Sequence, residues 1–550
     1  MNSINLNYKV ILLMVIAIGF CLRIAFIDDG LPFRYVADES HRMDIVMQML
    51  SEKSLNPGWF GHPAQIVIYT LALAIGVFYL FGNLLGVFAS SSDFAAWYHN
   101  DPTVLFEIGR FIVIVSSVAL IIVTAQIARR IFSDRAALLA SFILAISPLH
   151  VHHSAMIRSS DIVMSLFVML CVFYSLRILS NKELKITQYS ELEWLHIKPY
   201  VFSGLFLGFA VTSKYYGVFA ACGIVAAHFL NKYTSKKSLL LLLIAMMASL
   251  FGAFITGPFL FIDFGTMLND VVGESRDTHL SATAPGFFDD LVWFLHVLIS
   301  KGVGIVLFIS AVLGAALAYR LRRNESLILL IVPALLIVFL SALSLRWERW
   351  SLGLIPFIAL FAAFFLDESL KRISVLSVKY YRWGASIAVL LIAFYLPASA
   401  TLSDISALEK PDTRDIARNW INNNIPLGSS IFVEMRGPQL DKNSYRIVQV
   451  GNGTHLRIFD SQSGGFRYVL PRSKYSDIDS VDSLAENAVN YIVISNIEER
   501  MQNSRFSKHY VKELEKYKKL YDSSSLLFDT NASLYKKGPR LRVFKINVLR

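Results

Sequence analysis

The sequence predicts a polytopic α-helical membrane protein, with about 11–13 spans, that ends in a soluble α/β domain. Three observations carry this. Hydrophobic residues make up 55% of the 550 positions, charged residues only 17%, and mean hydropathy is +0.51. A soluble core saturates before a chain this long needs so much apolar surface. The apolar residues also fall in runs long enough to cross hydrocarbon, and those runs stop near residue 400.

Spans are expected at 10–27, 106–128, 136–152, 161–180, 199–213, 214–230, 238–256, 302–319, 326–344, 351–366 and 383–400. No small-residue cleavage site follows the first, so it reads as an uncleaved span rather than a signal peptide. A further run, 64–88, is long enough to cross but ambiguous. Basic clusters at Arg129/Arg130/Arg135, Lys182/Lys185/Lys198, Lys232/Lys236/Lys237, Arg320/Arg322/Arg323 and Lys371/Arg372/Lys379/Arg382 all fall on one side if the spans simply alternate. The positive-inside rule makes that side cytoplasmic. A crossing at 64–88 would flip the N-terminus relative to every later loop. The sequence therefore favours an interfacial or re-entrant 64–88, a cytoplasmic N-terminus and an extracytoplasmic tail.

These loops also account for the net charge of +11, which removes the main reason to expect nucleic acid as a partner. Cys21, Cys171 and Cys222 each sit in an apolar run without CxxC spacing, as buried small hydrophobes do. The expected organisation is a membrane domain over 1–400, with a first outward loop at 28–105, and an α/β domain over 401–550. Within the latter, Asp412 to Trp420 reads as a helix stopped by Asn424 to Gly428. Ile431 to Glu434, Tyr491 to Ser495 and Val543 to Val548 read as strands.

The outward loops gather the residues with chemical potential. Asp38-Glu39 follows the first span and precedes a helix-like stretch. One carboxylate of such a pair can take a proton from a hydroxyl while the other orients a neighbour; the structural alternative is an acidic cap for that helix. Arg158 and Asp161, three apart at the entry to a span, must pair or line a polar cavity. Lys214 and Arg349 are explained equally well as snorkelling or interfacial anchors. Together with Arg110 and Arg158, however, they supply several outward cations, as a phosphate leaving group requires. His62, in Gly61-His62-Pro63, with Glu274, Asp277 and Glu434, could line an acceptor site. His150, His152 and His153 lack a convincing zinc spacing. No Walker, dinucleotide or HExxH motif occurs.

The chain resembles the polyprenyl-phosphate-dependent glycosyltransferases of the GT-C superfamily, close to family 39, the protein O-mannosyltransferase and aminoarabinose-transferase type. The resemblance rests on Ala37-Asp38-Glu39, Gly61-His62-Pro63, Gly109-Arg110-Phe111, Ala128 to Ala137, Ser147-Pro148, Arg158 to Asp161, Gly208 to Gly217 around Lys214, Gly257-Pro258-Phe259 and Arg349 to Pro356. In the tail it rests on Trp420 to Gly428, Glu434 to Pro438 and Gly538-Pro539. It departs from the family in having one His-Pro rather than a doubled proline, and a second Ser between Arg158 and Asp161.

The resemblance implies transfer of a sugar from a polyprenyl-phosphate donor to a lipid, glycan or protein acceptor on the extracytoplasmic face, usually with inversion. Asp38 and Glu39 would be catalytic, Arg110, Arg158, Lys214 and Arg349 would face the donor phosphate, and Asp161 would belong to a second polar loop. No cofactor is certain; a divalent cation is required in the related oligosaccharyltransferases, and the metal here is unknown. A bacterial inner membrane is the expected location. The competing reading is a transporter or flippase of lipid-linked sugars, which should show inverted repeats with matching broken spans.

Overall fold

The computed structural model describes residues 2–36, 38–181, 193–231, 238–274, 285–375, 378–441, 443–448, 456–460, 465–469, 489–502, 507–531 and 536–547. The chain divides into two compact units: described residues up to Ile405 form the first and those from Ser406 onward the second.

The first unit is helical: α1 (Asn2–Ile24), α2 (Glu39–Ser51), α3 (Gln65–Leu84), α4 (Ser91–Asn100), α5 (Thr103–Ile131), α6 (Asp134–Ile146), α7 (Pro148–Ser154), α8 (Ser160–Leu179), α9 (Trp194–Ser213), α10 (Ala221–Leu230), α11 (Leu239–Thr256), α12 (Phe259–Ile262), α13 (Phe264–Glu274), α14 (Phe287–Val297), α15 (Ile305–Leu321), α16 (Arg323–Ser341), α17 (Ile355–Ile373) and α18 (Lys379–Ser406). Among the described residues, nine helices are long and apolar enough to cross a membrane, or up to 11 if each of two bent pairs is one crossing. The expected span 136–152 is one such pair, bent by 62° between α6 and α7. Pro148 cannot donate to the ladder, so carbonyls at the end of α6 lose their partners. Arg23 donates to the Leu144 and Ala145 carbonyls at 3.0 and 2.9 Å, and Thr401 to that of Ile146 at 2.7 Å. Such rescue is what apolar surroundings demand of a broken helix. The expected span 302–319 is the second arm of the other pair, bent by 112° at Gly304, whose φ of 83° suits glycine.

Small residues let helices approach closely. A Cβ at Gly204 or Gly208 of α9 would drive into the Ala245 and Ser249 carbonyls of α11, so Gly there fixes that contact. The expected span 214–230 is shorter than the others: a 3₁₀ turn, Tyr215–Ala220, runs into α10.

Helix α3, from the ambiguous run, passes the same length and apolarity test. Near its start Leu71 lies against the position of Gly109. Toward its end Phe78 and Tyr79 pack on Phe88, Phe94 and Trp97, and Tyr98 beside them lies under Arg34, which also covers Phe106.

The second unit holds a five-stranded sheet of order β2-β1-β5-β7-β6, with a separate hairpin β3-β4. The strands are β1 (Ser430–Val433), β2 (Arg446–Val448), β3 (Leu456–Asp460), β4 (Gly465–Val469), β5 (Tyr491–Ile494), β6 (Ser524–Asp529) and β7 (Arg542–Ile546). β2, β1 and β5 run parallel, and β7 and β6 complete the sheet antiparallel. Helix α19 (Thr413–Asn424) leads into β1, its start capped by the Asp412 side chain on the Arg414 N–H. Alternate strand residues separate into two cores: Phe432, Ile492, Ile494 and Phe544 on one, Ile431, Val433, Val493 and Val543 on the other. The expected α/β tail is thus observed.

Candidate active site at the polar end of the helical unit

Residues from five separate stretches of the first unit converge here, and the adjacent acids Asp38 and Glu39 show how differently they are used. Glu39, in the first turn of α2, is fully buried. Its Oε2 accepts from Arg110 Nη2 at 2.7 Å and its Oε1 from the Ile157 N–H at 2.7 Å. Arg110 spends Nη1 on the Ile27 and Asp29 carbonyls, at 2.8 and 2.9 Å. Arg110, expected on the donor phosphate, is found on Glu39 and these two carbonyls. Glu39, expected to be catalytic, is held by Arg110 and the Ile157 N–H.

Asp38 stands outside this lock. Its backbone is left-handed, with φ 68°, a conformation Asp tolerates better than most residues. The expected alternative, a helix cap, fails for its side chain, which makes no capping hydrogen bond. Instead Oδ2 accepts from Arg349 Nη1 at 3.2 Å, and 52% of the side chain remains exposed. Desolvation opposes its charge, but the Arg349 and Arg158 guanidiniums outweigh it and hold the carboxyl well below the usual carboxylate range.

Asp161 opens α8 fully buried. Its Oδ1 accepts from the Tyr216 hydroxyl and lies 3.5 Å from Lys214 Nζ. Its Oδ2 faces Arg349 Nε across 4.0 Å, and neither atom has a hydrogen-bond partner. Arg158 Nε is likewise buried without one. Lys214 is placed by the end of α9, and Arg349 by the 3₁₀ turn Glu348–Leu354 that precedes α17. Arg42, one turn after Glu39, donates to the Ile157 carbonyl and to Ser160 Oγ, bracing the loop that carries Arg158. Sequence reasoning missed Arg42 and Tyr216 as site residues. Their spacing, three after Glu39 and two after Lys214, was the available signal.

His62 sits beside this group, 3.5 Å from Glu274 Oε2, with the Trp59 ring packed between it and His41. Desolvation and the Lys214 and Arg349 charges push its imidazole well below its ordinary value, so it stays neutral. Asp277 lies outside the described residues. Glu434 belongs to the second unit, where its buried carboxylate accepts from the Ser495 N–H and hydroxyl, both at 2.7 Å, and from the Tyr517 hydroxyl. It is a structural knot there, and burial raises its pKa.

Among the described residues, no three His, Cys, Asp or Glu side chains converge as metal ligands. Asp38 and Asp161 are each already faced by Arg349. Among the described residues, this donor set lacks the several uncompensated oxygens that a divalent cation takes.

A family model described as dolichyl-phosphate-mannose-protein mannosyltransferase matches residues 105–260. No curated protein matches the chain in sequence. Among solved structures, the apo oligosaccharyltransferase of Archaeoglobus fulgidus aligns with a TM-score of 0.57 at 15% identity, covering 94% of this chain and 73% of that one. The AglB oligosaccharyltransferase of the same organism, in complex with an inhibitory peptide and a dolichol-phosphate, gives 0.54 at 13% identity over 94% of this chain and 72% of that one. ArnT from Cupriavidus metallidurans in the apo state gives 0.49 at 14% identity over 98% of both.

Proposed function

We propose that this chain, which has the GT-C fold of the polyprenyl-phosphate-dependent glycosyltransferases, is an integral-membrane glycosyltransferase that uses a polyprenyl-phosphate sugar as donor. One observation carries the reading. Among the described residues, Arg158, Lys214 and Arg349, with Arg42 behind them, share the carboxylates of Asp38 and Asp161, while Glu39 is held by Arg110. The excess positive charge, with buried N–H groups left open, matches a ligand that brings phosphate oxygens. The dolichol-phosphate bound to the similarly folded AglB supports the same donor class.

In this reading an acceptor hydroxyl attacks the anomeric carbon of the donor. The new C–O bond forms as the bond from that carbon to the phosphate oxygen breaks, and the Asp38 carboxylate takes the hydroxyl proton. Polyprenyl phosphate departs with the electron pair. Arg158, Lys214 and Arg349 stabilise the charge that develops on it, an effect strongest in a site shielded from water. Arg349 serves both ends, since it also fixes the Asp38 carboxylate. Attack opposite the leaving phosphate inverts the anomeric centre.

The outer face is supported by the five basic clusters, which lie on the loops opposite to this site if the spans alternate. An interfacial or re-entrant α3 remains part of the proposal and rests on the parity of the basic loops alone. An acceptor of lipid, glycan or protein type and a bacterial inner membrane remain part of the proposal. The test is sugar transfer from a labelled polyprenyl-phosphate donor pool in membranes carrying wild type or Asp38→Asn. Label reaching an acceptor only with wild type supports the reading and identifies the acceptor class. Undiminished transfer by Asp38→Asn removes Asp38 as the base, and no transfer by either protein with several sugars tried favours transport.

A further inference from the structure

We infer that Asp290 and Lys301 are positioning residues for the candidate site: through Arg346 and Glu348 they hold the turn that carries Arg349. The effect on transfer rests on the proposed function, whereas the placement of Arg349 does not.

Arg349 has an exacting task. Its Nη1 donates to Asp38 at 3.2 Å and its Nε lies 4.0 Å from Asp161 Oδ2. One guanidinium thus faces carboxylates from the start of α2 and the start of α8. Neither is near Arg349 in the chain, so the turn Glu348–Leu354 must be delivered to one place. A misplacement of about 1 Å can cost about a hundred-fold in rate.

Helix α14 delivers it. The helix runs on through a π turn, Leu298–Val303, and its Phe294, Val297 and Leu298 are buried in the core. Ser147 fixes the far end, donating to the Gly302 carbonyl at 2.7 Å. Asp290 sits in the first turn of α14 and Lys301 in the π turn, each at the end where the helix dipole favours its charge. Opposite them, the chain entering the Arg349 turn presents Arg346 and Glu348 on either side of Trp347. Arg346 Nη1 meets Asp290 Oδ1 at 2.8 Å, and its guanidinium covers the Trp293 ring at 4.8 Å. Lys301 Nζ meets Glu348 Oε1 at 2.5 Å.

The two pairs contribute differently. Asp290 is fully buried and its Oδ2 has no hydrogen-bond partner, so its charge depends on Arg346. Lys301 and Glu348 are both exposed, and such a pair adds little stability. Its use is register. Because the pairs have opposite sense, the chain cannot slip along α14 in either direction without setting like charge against like. Glu348 is the residue before Arg349, so what fixes it fixes the start of the turn.

The experiment uses the full-length protein in nanodiscs and compares wild type with Asp290→Asn, Lys301→Glu, Glu348→Lys and the Lys301→Glu/Glu348→Lys double swap. Carbodiimide adds to a protonated carboxyl. Its rate of labelling Asp38 at about pH 5, read by peptide mass spectrometry, therefore reports how firmly Arg349 holds that carboxylate. The other charged or titratable groups bearing on Asp38 are Arg158, Arg42 and His62, and no variant replaces them. A displaced Arg349 lets the carboxyl rise toward its ordinary range, so labelling in Asp290→Asn should quicken about ten-fold. Donor kcat/KM should fall at least about ten-fold. Each single reversal of the exposed pair should move both readouts the same way, and the double swap should return them toward wild type. If Asp290→Asn loses its fold, the exposed pair still decides, because neither of its residues is buried. Labelling unchanged by the single reversals overturns the positioning role, as does a change that the double swap leaves unrepaired. Labelling that responds and recovers, with no transfer even by wild type, upholds the positioning and removes the transfer reading.

Discussion

Two charged clusters of the helical unit make an instructive pair. In the closed one, Glu39 and Arg110 are both fully buried and hydrogen-bonded to each other, with nearby backbone groups taking part of the remaining capacity. Arg23 repeats the pattern, its guanidinium spent on Ser117, His150 and the carbonyls of Gly19, Leu144 and Ala145. In the open cluster, Asp38, Arg158, Asp161 and Arg349 keep exposed surface or unmet hydrogen bonds. Burial of charge is expensive in both. A closed cluster offsets that cost with protein partners, whereas an open one reserves part of the compensation for a ligand. The difference separates charges fully met within the protein from charges only partly met, even where they are neighbours in the chain.

The sharpest test lies between those neighbours. Asp38→Asn should lower transfer by about 10²–10⁴-fold, the usual loss when a general base is removed, with a thermal midpoint close to wild type. Glu39→Gln should do the opposite in kind. It leaves Arg110 buried without its counter-charge, at a cost of about 3–5 kcal/mol, read as a large drop in thermal midpoint. Arg110→Met in the same chain should restore part of that loss; no recovery would break the idea of a closed pair.

Smaller effects sharpen the open side. Arg158→Gln should lower kcat/KM for the donor by about ten-fold, through kcat as well as KM, for a lost charge-assisted contact to the departing phosphate, with the midpoint unchanged. Equal loss of stability would return Arg158 to the structural group.

The pH profile follows from Asp38. Its carboxyl is held below the ordinary value of 3.8, so it stays a carboxylate, and its ion pair stays formed, until pH falls through that lowered value. His62 is pushed down and stays neutral over the same range. Transfer should therefore show no acid limb between about pH 5 and 7 from either group. An apparent pKa inside that window, lost in Asp38→Asn, would contradict the open ion pair.

Tyr216→Phe should have the mildest effect, since Lys214 still faces Asp161. A rise in donor KM of less than about ten-fold is expected for one lost hydrogen bond to a charged group.

Local signals carried much of the fold. The expected helix beginning at Asp412 is seen as α19 with Asp412 as its cap, because capping is decided within one turn of chain. The expected strands at Ile431, Tyr491 and Val543 appear as β1, β5 and β7, since period-two burial is written in adjacent residues. Apolar runs likewise marked most of the long helices. The broken helices were not legible as such: Pro148 signalled an interruption, but the size of the bend depends on Arg23 and Thr401 meeting the freed carbonyls from elsewhere.

The site divides in the same way. Asp38, Glu39, Arg158, Asp161, Lys214 and Arg349 stood out because charge beside an apolar span is costly and therefore conspicuous. Cost alone assigns no role. Asp38 meets Arg349 from 311 positions away, and Glu39 meets Arg110 from 71. Sequence by itself determined which charges needed partners; only the tertiary structure decided which were fully met by protein and which only in part, because that depends on which distant groups the packed helices bring within hydrogen-bond reach.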